Sequence, residues 1–165
     1  IDNLKSGIYL DEIINADPMD FCIGVGAYPE KHFEAPNISK DIDFLRKKID
    51  LGAEYIVTQM FFNNKDFLEF KKKCREAGIT VPIIPGIKIL SSIKQLSNIP
   101  KNFYVNIPKN LSEEIDRNPK HAQEIGINWC IKQCEGLLNH GEKNIHFYIM
   151  SGATCVTKVL KSICN

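Results

Sequence analysis

Apolar positions along the chain alternate between two spacings, one of helices and one of short buried strands. In "IDNLKSGIYLDEII", Leu4, Ile8, Ile13 and Ile14 fall near one helical face, so a helix is expected there, ended by Pro18. "FCIGVGA" (21–27) is an apolar run of buried-strand length. From Ser39, a plausible N-cap, "DIDFLRKKIDLG" carries Ile42, Leu45 and Ile49 at helical spacing and stops at Gly52. "AEYIVTQMFF" predicts a strand with apolar residues on both sides, as in a sheet covered on both faces. "NKDFLEFKKKCREAG" predicts a helix. "VPIIPGIKI" predicts a third strand, with Pro82 at its start and Pro85 near its end, where a lost N–H is tolerable. "SSIKQLSNI" opens another helix, 101–118 has no clear period, and "PKHAQEIGINWCIKQCEGLLNHG" predicts a long helix with Pro119 in its first turn. "NIHFYIM" is the fourth strand and "ATCVTKVLKSI" the last helix.

Four buried strands separated by helices imply parallel βαβ units with right-handed crossovers. An open doubly wound sheet and a piece of a (β/α)8 barrel both satisfy that pattern. The first strand-to-helix turn holds no glycine-rich phosphate loop, which counts against a dinucleotide-binding open sheet. A complete barrel takes about 250 residues, so 165 residues would make half of one. The chain also opens without methionine, directly in an amphipathic pattern, as if from the middle of something larger.

Composition narrows the function classes. A chain that is 25% charged and 44% apolar is the make-up of one globular domain. A net charge of +1 creates no field that would recruit nucleic acid or an anionic membrane. No apolar stretch approaches the roughly 18–20 residues of a membrane span, and a cytoplasmic protein is expected. The six cysteines are expected to be reduced, buried thiols, with Cys22 and Cys155 in apolar patterns and Cys130 and Cys134 one helical turn apart. "CIKQC" is one cysteine pair without a second, so no zinc site is expected.

In either architecture, chemistry collects at the C-terminal ends of the strands. Polar residues stand at all four: Tyr28, Glu30 and His32; Thr58, Gln59 and Asn63; Lys88, Ser91 and Gln95; Ser151 and Thr154. Gln59 is the sharpest of these. An amide buried unpaired within "YIVTQMFF" would cost on the order of 1–3 kcal/mol, so it is either satisfied by neighbouring backbone or meant to recognise a flat heterocycle. Tyr28 either closes the rim or stacks on a ligand. His32 alone is more often packed or exposed than catalytic. Lys47 and Lys48 fit a solvated helix face. Lys88 would ordinarily be an exposed lysine, with Schiff-base chemistry of a lyase-type barrel as the functional alternative.

Taken in order, "AYPEKHFEAP", "DFLRKKIDLGAEYIVTQMFF", "CREAGITVPIIPGI" and "HFY" closely resemble the C-terminal half of methylenetetrahydrofolate reductase, over nearly the whole chain from Phe21. The resemblance implies strands five to eight of a (β/α)8 barrel, the N-terminal half being absent. It implies FAD at the C-terminal strand ends, touched by Tyr28, His32, Ala35, Asp41, Lys47 and Lys48. It implies a folate substrate bound by Gln59 and Gln95, with NAD(P)H delivering a hydride to the flavin and the flavin passing it on to the folate. The acidic residues of that reaction lie in the half not present, so no catalytic residue is assigned and the isolated chain is expected to be inactive. Gly152 stands where many members have a substrate-contacting arginine, and Ile99 where an aromatic residue can pack on the nicotinamide nucleotide. Half a barrel would leave strand edges and inward-facing side chains uncovered. The implied partners are therefore the missing half or a second copy in a homo-oligomer, and the alternative function is a non-catalytic module that binds itself or a partner chain.

Overall fold

A computed structural model of the protein describes residues 2–9, 12–13, 18, 20–150 and 152–164. Four parallel strands form one sheet in sequential order: β3 (Gly24–Ala27), β4 (Tyr55–Met60), β5 (Ile83–Ile87) and β6 (His146–Phe147). The helices between them, α2 (Ile38–Asp50), α3 (Asn64–Glu76) and, in the third crossover, α4 (Gln95–Phe103), α5 (Lys109–Arg117) and α6 (Ala122–Asn139), precede a last helix α7 (Thr154–Ile163). Sequential parallel strands joined by helical crossovers are the architecture of a partial (β/α) barrel.

The helices cover one face of the sheet. Ala27, Ile56, Ile83 and Ile87 share a core with Ile42 and Leu45 of α2, Phe67, Phe70 and Cys74 of α3, and Val159 of α7. Phe61 and Phe67 stack within it, ring centroids 5.3 Å apart. Burial pushes the Cys74 thiol up to about 12. A second core joins Met60, Phe62, Leu90 and Ile99 to Leu111 and Ile115 of α5. On the other face Gly24 and Gly26 are exposed, and Tyr55, Val57 and Gln59 are half-buried. The expected covering of both faces is therefore met on the helix side alone.

Several local expectations are corrected. The described residues from 2 to 13 do not form one helix: α1 (Asp2–Lys5) is one turn, Gly7 turns the chain at φ +72°, and β1 (Ile8–Tyr9) pairs antiparallel with β2 (Glu12–Ile13). Ile14 lies outside the described residues. The N-cap of α2 is Asn37, not Ser39; Asn37 is extended and its Oδ1 accepts from the Lys40 N–H at 2.9 Å. The unreadable stretch 101–118 contains the end of α4, closed by Tyr104 in the left-handed region (φ 55°), and all of α5. Its only core side chains in α5, Leu111 and Ile115, are too few to show a period. Cys22 and Cys164 are exposed and Cys155 half-buried, whereas Cys74, Cys130 and Cys134 are buried; all six are free thiols.

The β4–β5 ladder carries one irregularity that shapes the site. Val57 pairs with Ile84 and Met60 with Gly86, so β4 has one residue more than β5 over that span. Pro85, without an N–H, falls in the gap, where a regular ladder cannot continue. Side chains take up the displaced backbone groups. Thr58 Oγ1 accepts from the Gly86 N–H (2.9 Å), the Tyr148 hydroxyl donates to the Thr58 carbonyl (2.9 Å), and Gln59 Oε1 accepts from the Met60 N–H (2.9 Å). Gly86 has to be glycine, because a Cβ there would lie 2.2 Å from the Thr58 carbonyl oxygen.

Candidate functional site

The bulge decides how Gln59 is presented. With its Oε1 on the Met60 N–H, its NH2 has no protein acceptor among the described residues, and the side chain lines a cavity of about 280 Å³. Gln95, the first residue of α4, repeats the arrangement: its Oε1 accepts from the Ser91 N–H (2.6 Å) and the Ser91 hydroxyl (3.3 Å), and it lines the same cavity. Two amides set 36 positions apart in sequence are thus brought together, each with its carbonyl engaged and its donors left over. Ile99, Phe103 and Met150 supply apolar walls. Among the described residues no acidic side chain lines the cavity.

A second cavity, of about 250 Å³, opens beside the end of β3 and is lined by Gly26, Tyr28, His32, Asp41, Phe44 and Lys48, among others. The rings of Tyr28 and His32 meet edge to face, centroids 4.6 Å apart. Asp41 Oδ2 accepts from the His32 N–H at 2.8 Å, tying the loop to α2. His32 Nδ1 accepts from the Glu34 N–H (3.3 Å), which puts the proton of a neutral ring on Nε2. Gly26 leaves open space where a side chain would stand. The two cavities sit at neighbouring strand ends, for Ala27 pairs with Thr58 and the next residues are Tyr28 and Gln59.

Not every predicted residue gathers there. Ala35 does not line the cavity but braces the loop: its N–H donates to the His32 carbonyl (3.0 Å) and its own carbonyl accepts from Lys31 Nζ (2.5 Å). Those bonds hold Lys31 at φ 135°, a strained value for a side-chain-bearing residue. Lys47 is exposed on α2, its ammonium 5.2 Å from the centre of the Phe44 ring. Lys88 is half-buried rather than exposed, and its ammonium donates to the Tyr148 carbonyl at 3.0 Å. Burial lowers its pKa. Ser151 lies outside the described residues, Asn63 caps α3, and Thr154 opens α7.

The spacing of residues gives no sign of a tie between the loop after β3 and the segment after α4. Glu30 accepts from the Asn106 backbone N–H (3.0 Å) and from its side-chain amide, and Phe33 stacks on Tyr104 with centroids 4.3 Å apart. The loop carrying Tyr28 and His32 is thereby fastened to the segment that follows α4. Asn106 falls in the stretch without a period, so no pattern pointed to it.

A family model described as methylenetetrahydrofolate reductase matches residues 5–164. The chain belongs to that family. It is 38% identical over 149 residues to the 5,10-methylenetetrahydrofolate reductase of Buchnera aphidicola, spanning 88% of this chain and 50% of that protein. To the enzyme of the same name from Escherichia coli it is 34% identical over 154 residues, 90% of this chain and 52% of that protein. To the probable methylenetetrahydrofolate reductase (NADPH) of Caenorhabditis elegans it is 35% identical over 147 residues, 87% and 22% respectively. The chain thus spans about half the length, or less, of the curated relatives it matches. Among solved structures, an uncharacterized protein from Clostridium thermocellum that binds two copies of 5-methyl-5,6,7,8-tetrahydrofolic acid shares the fold. Its TM-score is 0.59 at 20% identity, over 87% of this chain and 54% of that one.

Proposed function

We propose that these residues are the C-terminal half of the flavin and folate sites of a methylenetetrahydrofolate reductase, which reduces 5,10-methylenetetrahydrofolate to 5-methyltetrahydrofolate with NADH or NADPH as electron source. The observation that carries this reading is the pairing of two cavities at adjacent strand ends, one lined by two amides and one by aromatic rings, a carboxylate and a lysine.

The residues around Tyr28 fit FAD. The open space at Gly26 and the Tyr28–His32 edge suit a flat ring system, and Lys48 suits a diphosphate. Bound there, FAD would supply hydride transfer. The protein's part is orientation: Asp41 fixes the loop through the His32 N–H, and the bulge at Thr58 holds Gln59 with its NH2 ready for an acceptor on the folate ring. Since no acid among the described residues lines the cavity with the two amides, the 165-residue chain by itself is expected to bind ligand without turning it over.

Titrating the chain with FAD and with 5-methyltetrahydrofolate, followed by flavin absorbance and calorimetry on material of verified mass, tests this. Both ligands should bind, and Gln59→Ala should weaken the folate about tenfold while leaving the flavin unaffected. Failure to bind either ligand, or equal losses for both in the variant, would overturn the reading. A second reading, a module that pairs with itself or another chain, is favoured by the open face at Gly24 and Gly26.

A further inference from the structure

Among the described residues, Lys88 is the one charged side chain lining the cavity that holds Gln59 and Gln95. It also lines a smaller cleft, of about 90 Å³, together with Gln95, Tyr148, Met150 and Gly152; three of those residues border both spaces, so the two adjoin. Its position follows from the sheet: Lys88 directly follows β5, the strand between β4 and β6, and its ammonium bridges to the Tyr148 carbonyl just past β6. That bond uses one of three N–H donors. No carboxylate among the described residues comes within ion-pair distance of the other two. A half-buried ammonium with a carbonyl on one donor and no carboxylate beside it has two donors left for an anion.

The surroundings indicate which anion. Among the described residues the rest of the cavity wall is amide, phenol and apolar, so a single positive charge is on offer, matched to a carboxylate. Gly152 lines the cleft beside Lys88, and a Cβ there would meet nothing within 4 Å among the described residues, so no side chain at that position stands in the way of a ligand chain. Resting on the folate reading above, we propose that Lys88 binds a carboxylate of the folate's glutamyl tail and thereby makes the site selective for folates that carry that charge.

The test compares 5-methyltetrahydrofolate with its diamide, in which both glutamyl carboxylates are neutral amides of the same size, by calorimetry on the 165-residue chain. The acid should bind about tenfold more tightly than the diamide, and Lys88→Met should erase that preference by weakening the acid alone. Lys88→Arg should retain most of the preference and Lys88→Gln should lose it, a pattern that a purely structural role would not produce. FAD affinity, which depends on the separate cavity at Tyr28, should be the same in all four proteins. Equal binding of acid and diamide by the unaltered chain would overturn the assignment and leave the folate reading standing. A drop in FAD rather than folate affinity would likewise overturn it. Binding of neither folate form would overturn the folate reading and this inference together.

Discussion

Glu30 shows how a single side chain was legible in type but not in role. Its place after the first parallel strand marked it as one of several polar groups, yet its partner, Asn106, lies 76 positions away. Burial raises the Glu30 pKa above its ordinary value of 4.5, the two Asn106 hydrogen bonds pull against that, and the Asp66 charge adds to the rise. In the window between the ordinary and the raised value, the native protein keeps a proton that the unfolded chain has lost. Stability due to this group therefore falls as pH rises through that window. Denaturant unfolding measured from about pH 4 upward should show that slope, and Glu30→Gln should flatten it. An unchanged slope in the variant would mean that another group titrates there.

At the scale of elements, strand and helix positions came mostly from periodicity, and the exceptions have local causes. The first helix failed because Gly7 takes a positive φ and starts a hairpin, something apolar spacing does not report. The bulge between β4 and β5 was half visible: Pro85 signalled a missing N–H, and Gly86 beside it a close backbone approach. What replaces the ladder was not visible, because it needs the Thr58 hydroxyl and the Tyr148 hydroxyl from 90 positions away. Thr58 is fully buried, so Thr58→Val keeps the shape and removes the acceptor for the Gly86 N–H. Chemical denaturation should register a loss of about 1–3 kcal/mol, with Thr58→Ser closer to the original protein. Equal losses for Val and Ser would show that packing, not the hydrogen bond, holds the bulge.

For the whole molecule the decisive feature is asymmetry. One face of the sheet is covered by helices and carries the larger core, while the other shows Gly24 and Gly26 to solvent. Among the described residues β3 and β6 are each paired on one side only. Unpaired edges beside an open face favour association. Sedimentation velocity at micromolar concentration should therefore show a species heavier than the 18.7 kDa chain. A single monomeric boundary at every concentration would remove the self-pairing reading.

By itself the sequence determined the alternation of strands and helices, the parallel crossovers, the polar strand ends and the singular position of Gln59, because each rests on the spacing of neighbouring residues along the chain. The resemblance already implied one folate for Gln59 and Gln95, whereas the tertiary structure alone decided that Glu30 meets Asn106 and that Lys88 stands half-buried against the Tyr148 carbonyl 60 positions away. Contacts of that kind are set by how strands register and how loops close over them. Apolar periodicity tells which way a residue faces, and carries no record of which distant residue it will meet there.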